Sequence, residues 1–263
     1  MCHAACADSR RAPAPDNVSH LQYTINMNKQ SNTYTIIYII VLVVLVGTAL
    51  AATSLALKGR QQENIAADKM SQILAAALIT PQEGETVSDF NKFITDQYVV
   101  NAAGERVKGV EAFDVDVASQ IKLPADRRAL PVYVCTTADG ATKYILPVYG
   151  AGLWGPIWGY VSFDANGSTI YGAYFAHQGE TPGLGAEIEK PAFSDQFKGK
   201  NVIKDGRFRP IAVVKAGQKP LDGEDYVDGI SGGTITSKGV GSMLDNCLVP
   251  YRKFLQSLGE SGK

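Results

Sequence analysis

Small and hydroxyl-bearing residues crowd together between Tyr226 and Lys238, where the chain reads YVDGISGGTITSK. Apolar residues then recur at helical spacing as far as Pro250, a residue type that ends or kinks a helix. A helix start offers unpaired backbone N–H groups and a positive dipole end, and glycines let the backbone approach a bulky group closely. The segment therefore predicts a phosphate site at the start of a helix. The apolar residues of that helix are Val240, Met243, Leu244, Cys247 and Leu248.

Two familiar nucleotide-binding motifs do not fit this chain. A P-loop requires glycine directly before its lysine and a hydroxyl directly after it, whereas Lys238 has serine before it and glycine after it. The dinucleotide fingerprint requires a third glycine, but Ile188 stands in that place after Gly183-Leu-Gly185. A phosphate at residues 226–238 would therefore be held by a different kind of motif.

The run from Gly229 to Gly233 also satisfies the G-x-S-x-G nucleophile elbow of serine hydrolases, with Ser231 as the nucleophile. In that fold the histidine of the triad follows the serine along the chain. The last histidine here is His177, so no histidine base follows Ser231. A hydrolase is kept as an alternative that lacks its general base.

Charge, histidine content and cysteine content limit the function classes further. The net charge of −1 and the pI near 6.3 provide no basic excess for binding nucleic acid. Histidine is scarce and no metal-ligand spacing occurs, so the sequence predicts no metal site. Cys2 and Cys6 lie in a polar N-terminal stretch, which leaves Cys135 and Cys247 for the folded body. Those two could form a disulfide or remain as buried free thiols, and the sequence leaves both open.

The run that ends at Thr234 resembles the acceptor sequence of flavin transferases. In that pattern an Asp is followed, after two residues, by Ser or Thr, then Gly, a small residue, and the Thr that is esterified to FMN phosphate. Glycine stands at position 233, where alanine is commoner, and this change leaves the Thr234 hydroxyl accessible. The resemblance implies covalent FMN on Thr234, with Thr236 nearby in the same site. The matching residues are Asp228, Ser231, Gly232, Gly233 and Thr234.

A second segment, from His177 to Ile188, resembles the signature loop of the FMN-binding domain family of respiratory subunits. Glu180 and Thr181 offer hydrogen-bonding groups before a turn that includes Gly183. Leu184 offers an apolar surface between glycines, which suits the isoalloxazine ring. The resemblance implies that these residues bind the cofactor.

A third run, from Gly150 to Gly159, is similar to a Gly-Leu-Trp element that lies near the flavin in the same family. Leu153 and Trp154 are the implied contacts, and Trp154 is the better candidate for stacking. Trp158 could equally belong to the core.

The three motifs in this order, behind one apolar span, resemble the C-type subunits of the sodium-translocating NADH:quinone oxidoreductase. The G-type subunits of the Rnf ferredoxin:NAD oxidoreductase share the domain, but the long segment between Thr86 and Lys143 favours the former. The resemblance implies an electron-transfer subunit of a sodium-exporting complex, with no catalytic residue of its own. Its implied partners are the other subunits, a flavin transferase and the lipid bilayer. A cofactor-free, membrane-anchored structural subunit remains the alternative from another class.

One long apolar stretch before these motifs predicts a membrane anchor. Residues 36–57 read IIYIIVLVVLVGTALAATSLAL, and no charged residue occurs between Lys29 and Lys58. At about 1.5 Å per residue such a helix spans a bilayer core, so we expect a retained anchor over 34–57 rather than a cleaved signal peptide. Met27 is a candidate translation start, and from there the basic residues lean toward a cytoplasmic domain. The family instead implies a bacterial inner-membrane protein whose domain lies on the outer, periplasmic face.

The remaining elements predict an α+β fold, with a largely antiparallel sheet and flanking helices. We expect a tail over 1–33, the span over 34–57, an amphipathic helix and linker over 58–85, the FMN-binding domain over 86–258, and a tail over 259–263. A hairpin turn is predicted at Asp164-Ala-Asn-Gly167. The predicted strands are 132–135, 143–149, 157–164, 169–175 and 211–215.

Overall fold

The computed structural model describes residues 32–220 and 223–261. Most of the predicted tail 1–33, with Met27, therefore lies outside the described residues, as does the end of the predicted tail 259–263. The chain divides into two compact units, Met1–Gly59 and Arg60–Lys263.

Helix α1, Asn32–Ala76, supplies the described part of the first unit. Its residues 36–57 form the predicted apolar span, and none of its most apolar window is buried. By length and composition this helix can cross a membrane. The apolar N-terminal helix that the sequence predicts is therefore present.

The last turns of α1 belong to the second unit and carry the amphipathic pattern. Ile65 is exposed, whereas Ile73, Leu74 and Ala76 are buried there. The helix runs unbroken from the apolar stretch into this segment because no proline interrupts it. It ends at Ala76, ahead of Pro81 as predicted.

Within the described residues, the second unit is built on one six-stranded antiparallel sheet. Its strands are β1 Ile94–Val100, β2 Arg106–Val107, β3 Leu130–Thr136, β4 Thr142–Ala151, β5 Pro156–Asp164 and β6 Ile170–His177. The strands lie in the order β2-β1-β3-β4-β5-β6. The N–H of Gly167 donates to the carbonyl of Asp164 at 2.9 Å, which confirms the predicted hairpin turn between β5 and β6. The predicted fold class, α+β with a largely antiparallel sheet, is confirmed.

Both faces of this sheet are covered, and the alternation along β3 shows it. Val132 packs in one core cluster while the next residue, Tyr133, packs in a second cluster. Successive strand residues point to opposite faces, so the two clusters lie on the two sides of the sheet. This explains why β3, LPVYVCT, reads as a nearly continuous apolar run.

Two short strand pairs follow the main sheet. Strands β7, Ile203–Lys204, and β8, Arg207–Phe208, pair antiparallel. Strands β9, Ala212–Val214, and β10, Tyr226–Asp228, pair parallel. The parallel pair is an exception to the predicted antiparallel pattern, and it leads the chain into the Gly-rich run.

Five further α-helices of the described residues complete the second unit: α2 Thr86–Phe93, α3 Val117–Gln120, α4 Pro191–Ser194, α5 Thr234–Leu248 and α6 Arg252–Ser261. A 3₁₀ turn at Val249–Tyr251 separates α5 from α6, as Pro250 predicts. Helix α5 packs closely on the end of β4. A Cβ placed on Gly239 would overlap the carbonyl oxygen of Ala151, and one placed on Gly150 would lie 2.7 Å from Cβ of Met243. These glycines let the middle of α5 lie directly against the end of β4.

The cysteines of the folded unit settle one open alternative. Cys135 and Cys247 are both buried and both free. The disulfide alternative is therefore wrong, because each thiol packs in a different core cluster, one on each side of the sheet.

Candidate functional site

The loop before α5 presents Thr234 at the first position of the helix. The N–H of Gly233 donates to the carbonyl of Ile230 at 3.0 Å, and Gly232 adopts φ +78°. The N–H of Ile230 donates to Oγ of Ser237 at 2.9 Å, so the first turn of the helix holds the loop that precedes it. Thr234 is exposed, and no side chain caps the helix start. The N–H groups of the first turn and the Thr234 hydroxyl are thus available to an anion.

The loop after β6 forms a second wall. The N–H groups of Leu184 and Ala186 both donate to the carbonyl of Thr181 at 3.1 Å. Gly183 adopts φ +75° and donates its N–H to Oε1 of Glu187 at 3.0 Å. This tight turn leaves Leu184 42% exposed, so an apolar side chain faces the cleft from this wall.

The loop between β4 and β5 forms the third wall. It is closed by a 2.8 Å hydrogen bond from the N–H of Gly152 to the carbonyl of Gly155. Its tip carries Leu153 and Trp154, whose side chains are 48% and 69% exposed.

The three loops enclose an open cleft of about 210 Å³. Its lining combines apolar side chains with hydroxyls and one carboxylate. The lining residues are Leu153, Glu180, Thr181, Leu184, Gly185, Gly232, Gly233, Thr234, Ile235 and Thr236. The three sequence motifs, which are separate along the chain, therefore meet at one place.

Four of the predicted site residues do not line this cleft. Asp228 ends β10, and its carboxylate accepts the N–H of Gly217 at 3.3 Å. Ser231 and Gly183 are both exposed. Trp154 reaches the site through its backbone alone, since its N–H donates to Glu180 while its ring faces solvent.

Glu180 is the carboxylate of the cleft, and it is 5% exposed. Its Oε2 accepts the hydroxyl of Thr236 at 2.5 Å, and its Oε1 accepts the N–H of Trp154 at 2.9 Å. Burial acts to raise the pKa of Glu180, but the hydrogen bonds from Thr236, Trp154 and Leu153 outweigh it and lower the pKa below its ordinary value. The side chain is therefore an ionised, hydrogen-bonded carboxylate at neutral pH.

The residues present fit FMN. Leu153, Leu184 and Ile235 are exposed apolar side chains on one cleft, the surface that a planar ring system requires. The uncapped start of α5 suits the phosphate, and the exposed Thr234 hydroxyl lies there. A Cβ on Gly232 would lie 2.6 Å from Cδ2 of Leu184, so glycine lets these two walls approach.

Sequence reasoning missed three residues of this site: Gly185, Ile235 and Ser237. Gly185 and Ile235 line the cleft, and Ser237 holds the loop before α5. The helical spacing could have indicated Ser237, because it lies one turn before the buried positions Val240 and Leu244.

A larger depression of about 540 Å³ lies elsewhere on the second unit and contains no predicted site residue. It is bordered by Asp68, Lys69 and Gln72 of α1 and by Trp158 of β5. The indole N–H of Trp158 donates to Oε1 of Gln72 at 3.0 Å. Trp158 thus binds its own domain there and takes no part in the cleft.

Comparison with known proteins identifies an FMN-binding domain over the residues that form the cleft. The FMN-binding domain family matches residues 152–249, which include the three loops of the cleft. The C-type subunit of the Na(+)-translocating NADH-quinone reductase of Vibrio anguillarum is 34% identical, over 89% of this chain and 98% of that protein.

Two solved structures are of the same kind of protein. The C-type subunit of the Na(+)-translocating NADH-quinone reductase from Parabacteroides distasonis is 50% identical with a TM-score of 0.70, over 76% of this chain and 96% of that one. Shewanella oneidensis NqrC is 26% identical with a TM-score of 0.61, over 74% of this chain and 98% of that one. These relatives are C-type proteins, the first of the two types that the sequence predicts. The chain belongs to the family of C-type subunits of the Na(+)-translocating NADH-quinone reductase.

Proposed function

We propose that this chain is the electron-transfer subunit of a membrane NADH-quinone reductase and carries FMN as a phosphoester on Oγ1 of Thr234. The observation that carries the proposal is the position of Thr234. Its exposed hydroxyl lies at the uncapped start of α5, on an apolar cleft within the residues that match the FMN-binding domain. The matched relatives are named as subunits of such a reductase, which supports the assignment to the complex.

Attachment requires a flavin transferase and an activated flavin phosphoanhydride, a flavin dinucleotide. The Thr234 oxygen bonds to the phosphorus of the FMN half, the phosphoanhydride bond breaks, the nucleoside monophosphate leaves, and the hydroxyl proton passes to solvent. The N–H groups at the start of α5 would then hold the phosphate. When bound, FMN would supply the redox chemistry, and Leu153, Leu184 and Ile235 would hold its ring.

The membrane and the partner subunits complete the proposal. Helix α1 anchors the chain in the lipid bilayer through residues 36–57, and its length and exposed apolar surface support this. The domain faces the periplasm, as in the family that the chain resembles, and exchanges electrons with other subunits of the complex. Sodium export belongs to the whole complex.

The full chain, produced with and without a flavin transferase, tests the attachment. After denaturing electrophoresis the wild-type band should fluoresce under ultraviolet light, only when the transferase is present. Thr234→Val should lose the fluorescence and Thr234→Ser should keep it. Thr137→Val is the matched control, because Thr137 lies in the turn between β3 and β4, away from the cleft. Mass spectrometry of the peptide that contains Thr234 should show the added FMN.

A dark wild-type band, from cells whose transferase labels a known acceptor, would overturn the proposal. A colourless protein from the native host would then favour a cofactor-free structural subunit. Labelling of Ser231 by a fluorophosphonate would favour the hydrolase.

A further inference from the structure

We propose that Glu180 is a positioning residue, whose carboxylate fastens the three loops of the cleft together so that Thr234 is presented to the flavin transferase and the ring surface is formed before flavin arrives. The inference rests on the proposed function, since it concerns the same cleft. In this inference the side chains of Glu180 and Thr236 bind each other rather than the cofactor.

The first support is that Glu180 contacts an element from each of the other two walls. Oε2 accepts the hydroxyl of Thr236, on the first turn of α5, and Oε1 accepts the N–H of Trp154, at the tip of the β4–β5 loop. Glu180 itself lies on the loop after β6. One side chain thus joins segments that are 26 and 56 residues away along the sequence.

The second support is the packing around the carboxylate. A Cβ on Gly152 would lie 2.5 Å from Oε1 of Glu180. A Cβ on Gly185 would overlap Oε2 of Glu180 and lie 2.5 Å from Oγ1 of Thr236. The two glycines leave room for this carboxylate and for little else, which fixes its orientation.

The third support is the state of the groups that Glu180 binds. The hydroxyl hydrogen of Thr236 is directed to Glu180, so this hydroxyl has no hydrogen left to donate to a phosphate. The backbone N–H of Glu180 donates to Nδ1 of His177 at 3.1 Å, which fixes the loop from its other side. Among the described residues no buried side-chain polar atom lacks a partner, so the buried oxygens of this network find their hydrogen bonds within the protein.

A hydroxyl-deletion series tests this role. Thr236→Val keeps the shape of threonine but removes the donor, whereas Thr236→Ser keeps the donor and removes a methyl group. Glu180→Gln keeps the size of the side chain but offers a single acceptor oxygen. The control pair is Thr137→Val and Asp139→Asn, because the Thr137 hydroxyl donates to Asp139 at the same 2.5 Å in an exposed turn.

The measured quantity is the initial rate at which the full chain, in detergent, gains flavin fluorescence from the transferase and a flavin dinucleotide. Circular dichroism at the assay temperature confirms that each variant is folded. Thr236→Val and Glu180→Gln should be slower by about tenfold, since each loses a hydrogen bond to a charged group. Thr236→Ser and both control variants should stay within about twofold of wild type.

A second measurement responds to charge rather than to packing. Once fully loaded, Glu180→Gln should hold flavin with a more positive midpoint potential than wild type, because removal of a nearby anion favours addition of electrons. An unchanged flavin midpoint potential in Glu180→Gln overturns the inference. So does a normal loading rate in Thr236→Val together with a slow loading rate in Thr236→Ser. In both cases the proposed function stands. A wild-type chain that never gains fluorescence overturns both.

Discussion

The backbone N–H of Ile230 donates a hydrogen bond to Oγ of Ser237, 2.9 Å away. Ser237 in turn donates its own N–H to the carbonyl of Gly233 at 2.9 Å. These two bonds tie the loop to the first turn of α5, and Thr234 lies between them. The hydroxyl that stabilises the loop is therefore that of Ser237, whereas Ser231 is exposed.

Replacing Ser237 with alanine should destabilise the fold and slow flavin loading. The N–H of Ile230 would lose its acceptor in a largely buried place, at a cost of about 1–3 kcal/mol in the free energy of unfolding. Ser231→Ala should stay within about 0.5 kcal/mol of wild type. Thermal and denaturant unfolding of the full chain in detergent measures both. The opposite order of the two variants would mean that Ser231 stabilises the loop.

Gly232→Ala should separate backbone strain from loss of the cleft wall. Gly232 has φ +78°, and an added Cβ would lie 2.6 Å from Cδ2 of Leu184. Gly140→Ala is the matched control, because Gly140 has φ +80° and open space around its Cβ position. Both variants should lose about 1–2 kcal/mol from left-handed backbone strain. Only Gly232→Ala should also slow flavin loading, and equal loading in the two would contradict the role of Leu184 as a wall.

The stability that Glu180 contributes should depend on pH in a defined direction. Its pKa in the folded protein lies below the ordinary value, so its ionised form stabilises the fold above about pH 4.3, and this contribution is lost as the pH falls through the folded-state pKa. The difference in unfolding free energy between wild type and Glu180→Gln should therefore shrink between pH 7 and pH 3. A difference that is constant with pH would show that the charge of Glu180 contributes nothing.

Motif spacing predicted the location of the cleft better than it predicted the contacts within it. Thr234, Leu184 and Leu153 were predicted from three separate runs, and all three line one cleft. Small residues before a helix, or between turns, carry a local signal that the sequence alone reveals. The main strands and the hairpin at Asp164 were predicted for the same reason, since alternation and turn residues are local.

The contacts that join the loops could not be predicted in this way. The bond between Glu180 and Thr236 links residues 56 positions apart, and no spacing rule gives its geometry. Strand β1 was also missed, because ITDQYVV contains three consecutive polar residues on an edge-facing stretch before its buried end. Its pairing with β3 is a tertiary effect that overrides local pattern.

The two cysteines of the folded unit should resist labelling in the native protein. Burial raises the pKa of the Cys135 thiol to about 11 and also raises that of Cys247. In a chain with Cys2→Ser and Cys6→Ser, a thiol reagent at pH 8 should therefore label neither residue before unfolding and both afterwards. A non-reducing gel should match a reducing one. Labelling of the native chain would mean that one of the thiols is accessible.

The two tryptophans of one motif should respond to substitution in different ways. Trp154 is 69% exposed and holds the cleft through its backbone N–H, which alanine also provides. The free energy of unfolding of Trp154→Ala should therefore lie within about 0.5 kcal/mol of that of wild type. Trp158→Phe keeps an aromatic ring but loses the indole N–H that binds Gln72, so it should be less stable by about 1 kcal/mol. Gln72→Ala should add little in the Trp158→Phe background, because both changes remove the same hydrogen bond. Additive losses would show that Trp158 and Gln72 stabilise the domain independently, and a destabilised Trp154→Ala would mean that its exposed ring packs on the domain in solution.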